Sequence, residues 1–190
     1  MRAGEHTSRF RSDKARATLM ALAIASLAAH RHPIPDRVDP PSGAALYVLM
    51  PDSSESIHDA IDHVVSHMSF IIRGIARGRL TKVNPTPQRV RVDVEANSVS
   101  VAFDNGNPVV TPLNGDTVAW RNPLTGETNH ARGVEAGDTV RQVIAAKDGE
   151  RENALIFLED GQRLRLHVTV TSHRLPRPLT YDLLFRKDSL

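Results

Sequence analysis

Arg163-Leu-Arg-Leu-His-Val-Thr-Val-Thr171 alternates without a break, placing Leu164, Leu166, Val168 and Val170 on one side of an extended chain and Arg163, Arg165, His167, Thr169 and Thr171 on the other. That is the pattern of a strand with one buried face. Residues 153–158 precede it across Glu159-Asp160-Gly161-Gln162, and Asp-Gly between two such runs signals a hairpin. Leu179, Tyr181, Leu183 and Phe185 follow at period two, beyond the Pro-interrupted residues 172–178. The three runs predict an antiparallel meander.

The same period extends back toward residue 88. Val90, Val92 and Val94 alternate with Arg89, Arg91 and Asp93, and Val99, Val101 and Phe103 alternate with Ser98, Ser100 and Ala102. Turn signals recur at Asn105-Gly106, Asn114-Gly115, Thr125-Gly126, Ala136-Gly137, Asp148-Gly149 and Asp160-Gly161, nine to twelve residues apart. That spacing suits strands joined by short turns and leaves no room for intervening helices. The chain therefore predicts a mainly β fold, an antiparallel up-and-down meander of about eight or nine strands. An open sheet of that width exposes two unpaired edges, so closure or curling into a barrel is favoured, with a β-sandwich as the alternative.

Before the meander, residues 44–50 are apolar enough for one strand. Ile57, Ile61, Val64, Val65, Met68, Ile72 and Ile75 then recur at three- and four-residue spacing. They predict one amphipathic helix over about 53–77, opened by Asp52, Ser53 and Glu55 and ended at the latest by Asn84-Pro-Thr-Pro87.

Residues 1–29 have the order of an export signal: basic residues Arg2, Arg9, Arg11, Lys14 and Arg16, then uncharged residues 17–29, with Ser26-Leu-Ala28 as a small-x-small cleavage site. Residues 30–43, with Pro33, Pro35, Pro40 and Pro41, predict a tether, and residues 44–190 a single domain. The expected location is periplasmic or extracellular. Residues 1–28 hold five of the 24 Lys and Arg and two of the 22 Asp and Glu, leaving 19 basic against 20 acidic residues. A net charge of −1 carries no overall footprint for nucleic acid. With no Cys, a disulfide framework, a thiolate metal site and a thiol nucleophile are excluded.

With its secreted β-meander and single helix, the region from 44 to 187 resembles a lipocalin-like or fatty-acid-binding-protein-like barrel. The Gly-x-Trp of lipocalin first strands is absent from Gly43-Ala-Ala-Leu-Tyr47, so the resemblance implies the architecture and a lumen. The function this implies is non-enzymatic binding of a small apolar or amphipathic ligand, an anionic one included. The alternative is a structural or protein-interaction domain of the cell envelope with a filled core.

Six cations, Arg73, Arg77, Arg79, Lys82, Arg89 and Arg91, stand between Phe70 and Val92 with no carboxylate among them. Arg77 and Arg79 are the candidates for an anionic head group, and the run as a whole also suits an anionic membrane surface. The plainer reading is a helix C-terminus followed by the outer face of a strand. Trp120, Phe103, Phe157 and Tyr181 are the candidates to line the lumen, or equally to fill it. Asp59, His63 and His67 share one helix face, which a solvated surface explains more simply than a metal. No cofactor, metal or catalytic motif is present in the sequence, and no Gly-x-Ser-x-Gly, P-loop or His-Glu-x-x-His occurs. The sequence leaves the oligomeric state open.

Overall fold

The computed structural model describes residues 40–123 and 125–188; residues 1–29, read as an export signal, and the part of the expected tether before Pro40 lie outside them. Ten strands form one antiparallel sheet: β1 (Gly43–Leu49), β2 (Arg89–Val94), β3 (Ser98–Phe103), β4 (Val109–Pro112), β5 (Asn114–Arg121), β6 (Thr128–Ala136), β7 (Thr139–Ala146), β8 (Gly149–Leu158), β9 (Arg163–Ser172) and β10 (Leu179–Lys187). The sheet order is β4-β3-β2-β1-β10-β9-β8-β7-β6-β5, so β1 pairs with β10 and the two edges are β4 and β5. Those edges are successive strands joined through Leu113, which brings them together and makes the barrel nearly closed. The strand beyond the eight or nine expected is accounted for by β4, four residues ending at Pro112, too short to show a period.

Side chains seal the remaining seam. Gln142 on β7 donates from Nε2 to the carbonyl of Val109 at 3.0 Å and to Thr111 Oγ1 at 3.4 Å. Gly133 on β6 permits this approach, since a Cβ there would lie 2.7 Å from Thr111 Oγ1 and 2.8 Å from the Pro112 carbonyl.

The predicted β9 face holds as far as Val168, and the fourth residue expected on it, Val170, is only half-buried. Leu164, Leu166 and Val168 are buried while Arg163 and Arg165 are exposed. The hairpin before it turns through Glu159, Asp160 and Gly161, all at positive φ, and the Tyr47 hydroxyl donates to the Gly161 carbonyl at 3.0 Å. Burial holds this phenol protonated, with its pKa raised to about 12. Tyr47, Phe157, Leu155, Leu164, Leu166, Leu183 and Phe185, each at most 1% exposed, fill the half of the barrel nearest this turn.

The helical stretch differs from the single helix expected. A 3-10 turn (Pro51–Ser53) leads into α1 (Ile57–Val65), capped by Ser56, and a separate α2 (Phe70–Val83) follows. The break is local. Ser66 Oγ bonds back to the His63 carbonyl, the Met68 amide shortens its bond to Val65, and Arg73 takes the carbonyls of Ser66 and Met68. Only the first half of the apolar stripe faces the core: Ile57, Ile61, Val64 and Val65 are buried, whereas Ile72 and Ile75 are 56% and 59% exposed. The helices sit at the end of the barrel where β10 begins. The approach to them follows β10, where Ser54 exchanges hydrogen bonds with Leu184, and at the helical end Arg177, between β9 and β10, donates to Nε2 of His63 and of His67 at 2.9 Å each.

Candidate functional site

The strand registers decide which side chains meet inside the barrel. One row across the inner face runs Val118, Ala131, Ile144, Arg151, Val170, Leu179, and the next runs Gly133, Gln142, Asn153, Val168, Tyr181. A guanidinium therefore projects inward, with the Asn153 row between it and the filled half. Arg151 donates from Nη1 to Asn84 Oδ1 at 3.0 Å and from Nε to Asn153 Oδ1 at 2.9 Å, and it crosses the lumen to lie 5.9 Å from the Phe103 ring centre. The Tyr181 hydroxyl also donates to Asn84 Oδ1, at 3.4 Å. Burial raises the Tyr181 pKa, with the nearby Arg151 charge and hydrogen bond pulling it back.

This cluster is short of partners in two places. Asn153 Oδ1 is taken by Arg151 and Gln142 Nε2 by β4, which fixes both amides, yet buried Asn153 Nδ2 and Gln142 Oε1 have no partner among the described residues. Around Arg151 the inner side chains Val118, Trp120, Ile144 and Val170 are only half-buried, in contrast to the sealed half beyond them. The arrangement can accept an anionic or hydrogen-bonding oxygen against an apolar wall.

The sequence-based candidates are divided among several places. Phe103 and Tyr181 border the Arg151 cluster, Trp120 is on the inner face opposite Asn129 near the helical end, and Phe157 lies 6.4 Å from Tyr47 in the filled half. Arg77 and Arg79 are outside, on α2; Arg77 pairs with Asp62 at 2.6 Å and Arg79 is exposed. Arg151, Asn153 and Asn84 were missed. Extending the alternation of Leu155 and Phe157 back by two and four residues places Asn153 and Arg151 on the same face, a signal that was present. Asn84 registered only as a helix end. Of the helix-face set, His63 and His67 converge on Arg177, and no cluster of three metal-ligating groups occurs among the described residues.

Two surface clefts, of ≈ 470 and ≈ 480 Å³, lie at the β7–β8 rim around Asp148 and Ser172 and on the outer face of β2 and β3 around Arg91 and Asp93. Neither includes the Arg151 cluster.

The fold expected from the sequence is the one found, a nearly closed antiparallel up-and-down β-barrel, with two helices in place of the one expected. No family model matches the sequence, and no curated protein is significantly similar to it. Among solved structures, the chain is similar to the REP1-NXSQ fatty acid transporter, with 11% identity, 78% of this chain and 96% of that one covered and a TM-score of 0.47. It is also similar to the fatty-acid-binding protein of Manduca sexta (14% identity, 76% and 98% covered, TM-score 0.47). A fatty-acid-binding protein from brain tissue of Drosophila melanogaster has 13% identity, 74% and 95% coverage and a TM-score of 0.45.

Proposed function

We propose that this chain is an exported, non-enzymatic binding protein that holds a small apolar or amphipathic ligand in the half of the barrel nearest the helices, with an anionic head at Arg151. One observation carries the reading: a guanidinium on the inner face of a barrel, hydrogen-bonded among the described residues only to neutral groups, stands beside a half-open apolar wall. A structural arginine would be expected to spend its donors on carboxylates. Arg151 instead bonds two neutral amide oxygens and neighbours the Tyr181 phenol, so among the described residues its charge has no counter-ion in contact. The test is a titration with a fluorescent fatty acid and its neutral ester at low and high salt. The acid should bind more tightly than the ester, and binding of neither would remove the ligand.

A second reading, a protein-interaction domain of the cell envelope with a solid core, is favoured by the complete filling of the other half of the barrel. It predicts that no small molecule co-purifies in native mass spectrometry and that neither probe binds. Export rests on residues 1–29 in both readings. Protein recovered from outside the cytoplasm should begin near Ala29 or His30, and an intact Met1 there would overturn it.

A further inference from the structure

We infer that α2 is a membrane-docking element that lies flat on an anionic lipid surface. Its sequence, Phe-Ile-Ile-Arg-Gly-Ile-Ala-Arg-Gly-Arg-Leu-Thr-Lys-Val, contains four cations and no carboxylate. Phe70 is 88% exposed, Ile71 83%, Ile72 56%, Ile75 59% and Val83 57%. Scattered exposed apolar residues are ordinary, but five of the seven exposed large hydrophobic residues among the described residues belong to one 14-residue helix.

Their placement is directional. At 100° per residue, Ile71, Lys82, Ile75, Arg79, Ile72 and Val83 fall within an arc of about 120°. Leu80, the buried residue of α2, and half-buried Arg73 lie on the other side, half-buried Ala76 borders the arc beside Val83, and Phe70, at the first helical position, lies about 100° outside it. Two of the four cations are already engaged, Arg73 with the carbonyls that end α1 and Arg77 with Asp62. Arg79 and Lys82, within the apolar arc, have no partner among the described residues. An isoleucine face with two long cations in it suits the boundary between acyl chains and head groups, where the stems stay in the apolar layer and the charges reach phosphate. No described helix is long and apolar enough to cross a membrane, so the contact is one of lying on the surface.

Charge selects this occupant over the alternatives. A second copy would bring an equally basic helix against this one. Residues 1–28 of the same chain are themselves basic, five cations against two carboxylates. Only an anionic partner gains from Arg79 and Lys82 while covering the isoleucines.

The experiment is sedimentation of the full chain with phosphatidylglycerol vesicles and with phosphatidylcholine vesicles, for wild type, Ile71→Ser/Ile75→Ser and Arg79→Gln/Lys82→Gln. All four substitutions are at exposed positions, so the variants should melt within a few degrees of wild type. Wild type should partition onto the anionic vesicles, less so as salt rises, and only weakly onto the zwitterionic ones. The isoleucine variant should lose about tenfold or more in partition coefficient, and the cation variant should lose its preference for anionic lipid. Equal partition of wild type and the isoleucine variant, or no partition of wild type, would overturn the inference. So would a wild-type dimer in sedimentation velocity without lipid that the isoleucine variant converts to monomer, because the helix would then be covered by a second copy.

Discussion

Truncation of Leu166 to Ala is expected to cost about 2–5 kcal/mol of folding stability, and Thr169→Ala well under half of that. Both are on β9, three residues apart, and differ in the face they present. Leu166 is fully buried, pairs with Leu155 on one side and Leu183 on the other, and belongs to the filled half of the barrel. Removing its isobutyl group leaves a void walled by strands on both flanks, which have little freedom to collapse into it. Thr169 is half-exposed on the outer face, and its hydroxyl has a 3.4 Å contact to His167 Nε2. Urea unfolding of the two variants beside wild type measures the difference. Equal losses would mean that the strand is paired one residue out of register, which would turn Arg163, Arg165 and His167 into the core.

The strands were legible because their period is short and their turns are marked. Leu164, Leu166 and Val168 declare a buried face within six residues, and Asp160-Gly161 supplies the positive φ that the hairpin requires. What eluded the sequence depended on distant partners. Ile72 and Ile75 continue the spacing of Ile57, Ile61 and Val64, yet whether such a stripe meets a core depends on where the next helix is aimed, and spacing alone does not encode that. The break at Ser66 to Ser69 rests on ordinary residues, with no Pro or Gly to announce it.

The site was hidden for a related reason. Asp148-Gly149 marks a turn, so the polar run Glu150-Arg-Glu-Asn153 reads as part of it, whereas β8 in fact starts at Gly149 and carries Arg151 and Asn153 inward. A polar residue on an inner face breaks the apolar alternation that identifies a strand. A barrel that binds something polar therefore obscures its own site from a reading based on periodicity. The half-burial of Val170, on the same face as fully buried Leu166 and Val168, is the structural counterpart: the inner wall loosens where Arg151 enters it.

Replacing Arg151 by Met should weaken binding of a fluorescent fatty acid by about 10- to 100-fold while leaving its neutral ester within about threefold of wild type. Met keeps much of the length and apolar stem of Arg and removes the charge and all of its donors. The acid alone presents a full negative charge to the guanidinium, so it alone should register the loss. Arg151→Lys should fall between, because an ammonium restores the charge but cannot span Asn84, Asn153 and a ligand oxygen with one planar fork. The comparison that decides between interior and surface is Arg77→Gln/Arg79→Gln. These arginines are on the outer side of α2, one of them committed to Asp62, so their joint loss should change acid binding by less than about threefold. A further consequence follows from the surroundings. Without Arg151, Asn153 Oδ1 loses its donor and Asn84 Oδ1 keeps only the 3.4 Å contact from Tyr181, so the methionine variant should also melt a few degrees lower. Unchanged acid binding in the methionine variant would remove Arg151 from the site, and a larger loss in the Arg77/Arg79 variant would move the head group out to α2.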